Sequence, residues 1–422
     1  MHTWSELTHL VGFDYASDHH DIIVVEKQTG AIVCDFPFDE SAEGWQDFHQ
    51  RLRPFPAVGV VIETSVGAVV ERLLDANYTV FPINPKAACR YRERKAPSGV
   101  KTDRLDAWAN ADALRLEGGQ WKPLSPEDPM IVELRQLTRD EVALIAQRTS
   151  LVNQLRQALH EYYPTALRAF DNWICPSSWS FIEWFPTSQN LAAAGPKKWK
   201  KFFHTVKLND ARKAEERIAL FQHATDFCGS APTTSAKSLL ALTIVKLLRT
   251  LEAQLKTYRR RIQDLFEKHP DHDLFGSLPG PGGKIAARLL AETGSDRQRF
   301  DSAQSFQCYG GSAPVTYQSG KSRRVRMRRG CNKHLRTALH WLADLTREKC
   351  PWAEAYYQAK REQGMHHAAA LRALGNRWAK ILWKMWQTRT RYDADLHQRN
   401  QIAHGSWLLV PPKPAVTQSA VT

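Results

Sequence analysis

Apolar and polar positions alternate in short runs over the first 115 residues and then change rhythm. The runs HLVGFDYA (9–16), DIIVVEK (21–27) and AIVCDFPF (31–38) are rich in β-branched and aromatic residues. SDHH and QTG separate them, which predicts three strands joined by turns. Connections this short favour antiparallel neighbours. A polar amphipathic segment over Ser41–Leu52 predicts a helix, and the apolar run AVGVVIE (57–63) a fourth strand. Ala68–Ala76 then reads as a helix, TVFPINP (79–85) as a fifth strand, and about Thr102–Leu116 as another helix. The expected order is three strands, helix, strand, helix, strand, helix.

From about Pro126 to His160 the period lengthens. Leu134, Leu137, Leu144, Leu151, Leu155 and Ala158 recur on three- and four-residue steps, interrupted by Glu141 and Arg148. Leu248, Leu251, Leu255, Tyr258, Ile262 and Leu265 repeat the pattern. Two such helices read as an antiparallel arm or oligomerisation element, or as core packing within one chain. Between them a Trp-rich, Pro-broken segment (about 170–234) contains PKKWKKFF and reads as a small helical insert with no assigned role. Near His272 a last domain begins, where LPGPGGKIAARLLAE sets a Gly/Pro turn before a helix. That turn reads either as a helix-hairpin-helix-like element offering N–H groups to phosphate or as an ordinary helix entry. KHLRTALHWLADLTR and HHAAALRALGNRWAKILWKMW read as amphipathic helices, and the tail from about His404 as disordered. The expected division is an α/β domain at 1–120, a helical region at 121–271, a mainly α domain at 272–400 and a tail at 401–422.

Composition adds a direction. The 422 residues suit two or three domains, and 43% hydrophobic content supplies their cores. A net charge of +14 points to a polyanionic partner, nucleic acid first. No stretch approaches a transmembrane helix and no secretory leader opens the chain, so a cytoplasmic protein is expected. Seven scattered cysteines (Cys34, Cys89, Cys175, Cys228, Cys308, Cys331, Cys350) without a CxxC pair argue against a disulfide framework or zinc module. The stretch YQSGKSRRVRMRRG and its flank CNK gather Lys321, Arg323, Arg324, Arg326, Arg328, Arg329 and Lys333, with no carboxylate from Ser302 to Ala343. By spacing alone this is a phosphate-binding loop with Ser319-Gly320 as a tight turn. His19–His20 and His366–His367 are weak metal candidates and read more readily as solvated surface, because adjacent side chains diverge. Trp341, Trp352, Trp378, Trp383 and Trp386 fall at helical spacing and read as core rather than as base-stacking platforms.

Four acids suggest chemistry. Asp14 lies in the first strand near Val11 and Phe13, where a buried charge is costly unless paired. Glu63 ends the fourth strand, and Asp103 and Asp106 share one face at the start of a helix that Thr102 can cap. Singly, each reads as a structural acid, and the helix dipole alone favours Asp103. Together, carboxylates at strand and helix ends around one sheet can hold two Mg²⁺ ions. Two metals about 3.5–4 Å apart stabilise both oxygens of a phosphodiester displacement.

The blocks VGFDYAS, VVIETS, FPINPKAACRYRERKAPSGVKTDRLDAWANADALR, LPGPGGKIAARLLAE and CYGGSAPVTYQSGKSRRVRMRRGCNKHLRTALHW resemble the DEDD transposases of bacterial insertion sequences. These are relatives of the Piv invertase and include bridge-RNA-guided recombinases. The resemblance covers about residues 9–116 and 272–390, and the insert and tail make this chain longer than compact members. It implies an RNase H/RuvC-like N-terminal domain, a coiled-coil arm and a C-terminal transposase domain. Carried over, it implies Asp14, Glu63, Asp103 and Asp106 as the acidic set for two Mg²⁺ ions, and Ser319 as nucleophile. A phosphoserine link to DNA would preserve bond energy for religation, with the seven cations as its phosphate cradle. Nearby Ser302, Ser305, Ser312 and Ser322 are competitors for that role. Donor and target DNA, an element-encoded guide RNA, a dimer or tetramer built through the arm, and a nucleoid-associated bacterial location are also implied. The rival expectations are a RuvC-like endonuclease on branched DNA with Ser319 a bystander, and a non-enzymatic DNA-binding protein.

Overall fold

In the computed structural model, which describes residues 2–208, 210–222, 230–280 and 282–405, the N-terminal unit (Met1–Glu127) is built on one five-stranded mixed sheet. Its strands are β1 (His9–Tyr15), β2 (His19–Glu26), β3 (Ile32–Asp39), β4 (Val58–Ile62) and β5 (Thr79–Pro82). Their order is β3-β2-β1-β4-β5; β1–β2 and β2–β3 are antiparallel, as the short turns predict, and β1–β4 and β4–β5 are parallel. Helices α1 (Ala42–Leu52) and α2 (Ala68–Asp75) cover one face, packing Trp45, Phe48 and Leu73 on Val11, Phe13 and Phe38. The helix α4 (Asp103–Glu117) covers the other, laying Ala107, Ala111 and Leu114 over Leu10, Ile23 and Val61.

A further helix, α3 (Pro85–Lys95), is absent from the sequence-based order, which instead extended the fifth strand to residue 85. It buries only Ala88 and carries five cations, so it shows no apolar stripe. Its start signal was present: Asn84 accepts from the Lys86 N–H, and Pro85 occupies the first turn. Gly12 settles how closely α4 approaches the sheet. A Cβ there would lie 1.7 Å from the carbonyl oxygen of Ala107, so only glycine admits the helix backbone.

Among the described residues, the second unit (Asp128–Thr422) is helical apart from one hairpin. Helix α5 (Pro129–Tyr162) leads through α6 (Pro164–Ala169), α7 (Pro176–Trp184), α8 (Ser188–Thr205) and α9 (Ala211–Gln222) to α10 (Ala231–Lys268). Helices α5 and α10 pair along their length. Ion pairs Glu133–Arg261 (2.7 Å), Glu141–Arg259 (3.0 Å), Arg148–Glu252 (2.8 Å) and Glu161–Lys237 (2.6 Å) run in opposite directions on the two, which makes them antiparallel. Glu141 and Arg148, the breaks in the apolar repeat, are therefore rungs of an intrachain ladder. One end of the pair joins an aromatic core with α6–α9, including Trp173, Trp179, Phe181, Trp199, Phe202 and Phe221.

The other end joins the C-terminal helices α11 (His272–Gly276), α12 (Gly282–Thr293), α13 (Ala303–Tyr309), α14 (Lys333–Arg347), α15 (Pro351–Glu362) and α16 (His367–Thr388). The Gly/Pro turn lies between α11 and α12, with Gly280 at φ 87° and Gly282 at φ 58°; Pro281 lies outside the described residues. Trp378 and Trp386 are fully buried and Trp352 and Trp383 pack against this core, whereas Trp341 is 47% exposed, against expectation, on the outer side of α14. Helix α17 (Ala394–Ala403) runs into the segment expected as tail, and residues 406–422 lie outside the described residues. The six described cysteines are free thiols, and Cys228 lies outside. No helix among the described residues is long and apolar enough to cross a membrane.

Two substitutions test these contacts. Gly12→Ala should lower the unfolding free energy by about 3 kcal/mol or more, since backbone rather than a flexible side chain must yield. Glu141 is buried and also accepts from Arg288 at 2.7 Å, so Glu141→Ala strands Arg288 and leaves Arg259 only Glu252 at 3.2 Å. It should cost roughly 3 kcal/mol in denaturant unfolding.

Candidate functional site

Strand alternation puts Gly12 and Asp14 on the face of the sheet that α4 covers. The β1–β2 register sets Asp21 opposite Asp14, and the β1–β4 register sets Phe13 beside Ile62, the residue before Glu63. Asp21, Asp14 and Glu63 thus form a row across three adjacent strands. Thr102 accepts the Leu105 N–H and starts α4, which brings Asp103 and Asp106 over that row in its first turn. The four expected acids line one cavity of about 420 Å³, together with His19, Asp21, Cys89, Arg92 and Lys101.

Crowding is written into their ionisation. The Asp14 carboxyl is pushed up to about 7, first by burial and then by Asp106, Asp103, Glu63 and Asp21. Burial also raises Glu63, with Asp106 adding to it and Asn110, Arg92 and Lys101 opposing. Asp21 is raised by burial and by Asp103. Asp106 is held by Arg92 Nη1 at 2.6 Å, a contact that α3 supplies.

The donor set fits a hard cation. Asn110, one turn beyond Asp106 and 0% exposed, leans toward Glu63, yet neither of its amide atoms closes a well-formed hydrogen bond. A carboxylate-lined cavity with an orphaned amide beneath it matches the oxygen ligands that Mg²⁺ and Ca²⁺ take. His19, Asp21 and Asp103 also bring one ligand atom each to within 4.8 Å of one another. His19 Nδ1 lies 3.1 Å from Asp18, which leaves Nε2 toward Asp21 at 3.9 Å.

His19, Asp21, Arg92, Lys101 and Asn110 were not among the expected site residues. Asp21 was readable only from the hairpin register, and Asn110 only as the residue four beyond Asp106. Of His19–His20, read as solvated surface, His19 is exposed as expected, whereas the reading of His20 is corrected. The two side chains diverge, but His20 is 1% exposed and pairs with Glu40 at 2.8 Å among Phe13, Phe38 and Trp45.

In the second unit, Ser319 ends strand β6 (Val315–Ser319), which pairs with β7 (Ser322–Arg326). The expected basic loop is thus a hairpin with Gly320 and Lys321 at its tip, and Gly320 at φ 53° suits a two-residue turn. Ser319, Lys321, Arg323, Arg324 and Arg326 are exposed, as are Arg329 and Lys333 beyond the hairpin. Arg328 is partly covered and donates to the Ala313 carbonyl at 3.4 Å, and Arg326 stacks over Tyr317 at 5.3 Å. At the base, Asn332 caps α14 and donates to Glu292 at 2.7 Å, while Arg139 grips that carboxylate at 2.8 and 2.9 Å. A buried polar network therefore fixes where the basic run ends.

The acidic row predicts a pH signature. Asp14 binds a proton more tightly folded than unfolded, because its folded pKa lies above the ordinary value. The associated stability is present at acid pH and is lost as pH rises through about 7. Asp14→Asn should therefore raise the melting temperature in EDTA at about pH 8, and the difference should close below about pH 4. Thermal melts across pH check this.

Comparison with known proteins gives this geometry a context. A family model described as a transposase matches residues 11–164, and that of the IS116/IS110/IS902 transposase family matches residues 272–358. A Streptomyces coelicolor protein named as a candidate transposase for the IS117 mini-circle is 32% identical over 413 residues, covering 92% of this chain and 97% of the relative. An uncharacterised 43.6 kDa protein of insertion element IS110, also from Streptomyces coelicolor, is 27% identical over 82% of this chain and 86% of its own length. An uncharacterised 42 kDa protein of IS900 from Mycobacterium paratuberculosis is 28% identical, over 69% and 73% respectively. A chain with both matches in order, and a relative aligned over nearly its whole length, belongs to the IS110/IS116/IS902 family of transposases.

Proposed function

We propose that this transposase cuts and rejoins DNA through a serine–phosphodiester intermediate, assisted by divalent metal at the acidic cavity. The observation that carries the reading is the convergence of Asp14, Glu63, Asp103 and Asp106 on one cavity, with Asp14 pushed up to about 7. Groups that repel one another so strongly are poised to exchange a proton for a cation. The four carboxylates would hold Mg²⁺, an ion that their oxygen donors suit, with Asn110 and Asp21 beside them. Bound metal supplies charge neutralisation and polarisation at a reacting phosphate. The strand order β3-β2-β1-β4-β5, its first three strands antiparallel, supports an RNase H/RuvC-like reading of the domain.

Ser319 is the proposed nucleophile. Its hydroxyl gives up its proton as the oxygen bonds to phosphorus, the P–O bond to the leaving strand breaks, and that strand departs as a hydroxyl by taking up one proton, so the exchange balances. Lys321, Arg323, Arg324, Arg326, Arg328, Arg329 and Lys333 hold phosphate and offset charge as it develops. Reversal on a second strand rejoins the DNA without an external energy source. An element-encoded guide RNA is proposed as the specificity factor, on the strength of the sequence resemblance alone. Assembly into a dimer or tetramer through the α5–α10 arm is proposed too, supported by Leu239 and Leu247, which are 68% and 51% exposed on α10.

Trapping on donor DNA tests the chemistry. A protein–DNA adduct resistant to denaturant should form with Mg²⁺, disappear in Ser319→Ala, and fall at least about a hundredfold in Asp14→Asn. Hydrolytic cleavage that survives Ser319→Ala unchanged would favour a RuvC-like endonuclease instead.

A further inference from the structure

The lobe built from α6–α9 lies between the two family matches, and its charge has no use in the proposed chemistry. Its most cationic feature is the second half of α8. Gly195, at φ 67° and ψ 171°, breaks that helix, and Pro196 starts a new helical segment running to Thr205. Within it, Trp199, Phe202 and Phe203 are buried in the aromatic core. Helical spacing then turns Lys197, Lys198, Lys200 and Lys201 outward, and all four are exposed. From Trp184 to Asn209 the sequence holds no carboxylate, so nothing local neutralises them. None of the four closes an ion pair among the described residues; Lys198 only passes over the Phe185 ring at 5.9 Å.

We propose that this lysine face is a second nucleic-acid surface, and that it grips the phosphate backbone of duplex DNA. The lysines are point charges, with no Asn, Gln or Arg among them to read base edges, so the contact positions DNA without specifying sequence. Single strands are recognised through stacking on exposed aromatic rings. Here Trp199, Phe202 and Phe203 are committed to the core, which leaves charge alone on the surface and selects against an unpaired strand. The rigid aromatic anchor beneath also holds the four charges on one short helical face rather than on a loose loop.

Binding rather than catalysis tests the proposal, so its outcome is separate from that of the serine chemistry. The full chain and a variant with Lys197→Ala, Lys198→Ala, Lys200→Ala and Lys201→Ala would be titrated against a random-sequence DNA duplex at several salt concentrations. The variant should bind roughly tenfold or more weakly at low salt, and its salt slope should be shallower by about 2–4, near 0.9 for each phosphate that is no longer neutralised. A fourfold Lys→Arg variant should restore both. Lysine-reactivity footprinting of the unaltered chain, with and without the duplex, removes any dependence on variant folding: the four amines should be protected. Unchanged affinity and slope, or amines equally reactive with duplex present, would overturn the proposal. Loss of binding to a structured RNA with duplex binding intact would overturn it in favour of an RNA partner.

Discussion

Helix α4 lies against strand β1 because residue 12 has no side chain, and the acidic cavity follows from that contact. The Ala107 carbonyl occupies the space a Cβ would take, which draws the first turn of α4 down toward Asp14 and Glu63. Small residues along the helix, Ala107 and Ala111, continue the close approach. Nothing in the apolar core demands acids at this point. The sheet and helix supply a rigid frame, and the carboxylates occupy the two edges of it that meet.

The frame holds a charge density that the unit does not favour by itself. Burial and mutual repulsion raise Asp14, Glu63 and Asp21, and Arg92 answers only part of the charge through Asp106. Stability elsewhere in the unit offsets this: the Phe13, Phe38, Trp45 and Phe48 cluster closes the opposite face of the same sheet. Crowding of this kind costs folding free energy that the rest of the unit must offset.

Much of the N-terminal unit was legible because its strands are bounded by short polar turns and its acids sit at their ends. What was missed shares one physical cause. Helix α3, Asp21 and Asn110 act through tertiary geometry that a linear period does not carry: a cationic helix has no stripe, a strand-end acid gains meaning only from register, and an amide is placed by α4 docking. In the second unit, the repeat marked both long helices but left open what Glu141 and Arg148 were for. Their partners, Arg259 and Glu252, lie about a hundred residues away, and only the fold pairs them. The hairpin around Ser319 escaped detection because every position but Val315 is exposed, so no alternation of apolar and polar residues announces it.

The ion-paired stretch of α5 and α10 separates two apolar cores that have no residue in common. One core consists of the C-terminal helices and one end of the pair, the other of α6–α9 and the opposite end. A polar isthmus of this sort lets the aromatic lobe pack on its own, apart from the C-terminal core. Sequence drift, insertion or exchange beyond the ladder can proceed without repacking the helices that carry the serine hairpin. A packing change in one core is therefore not handed to the other through a shared side chain.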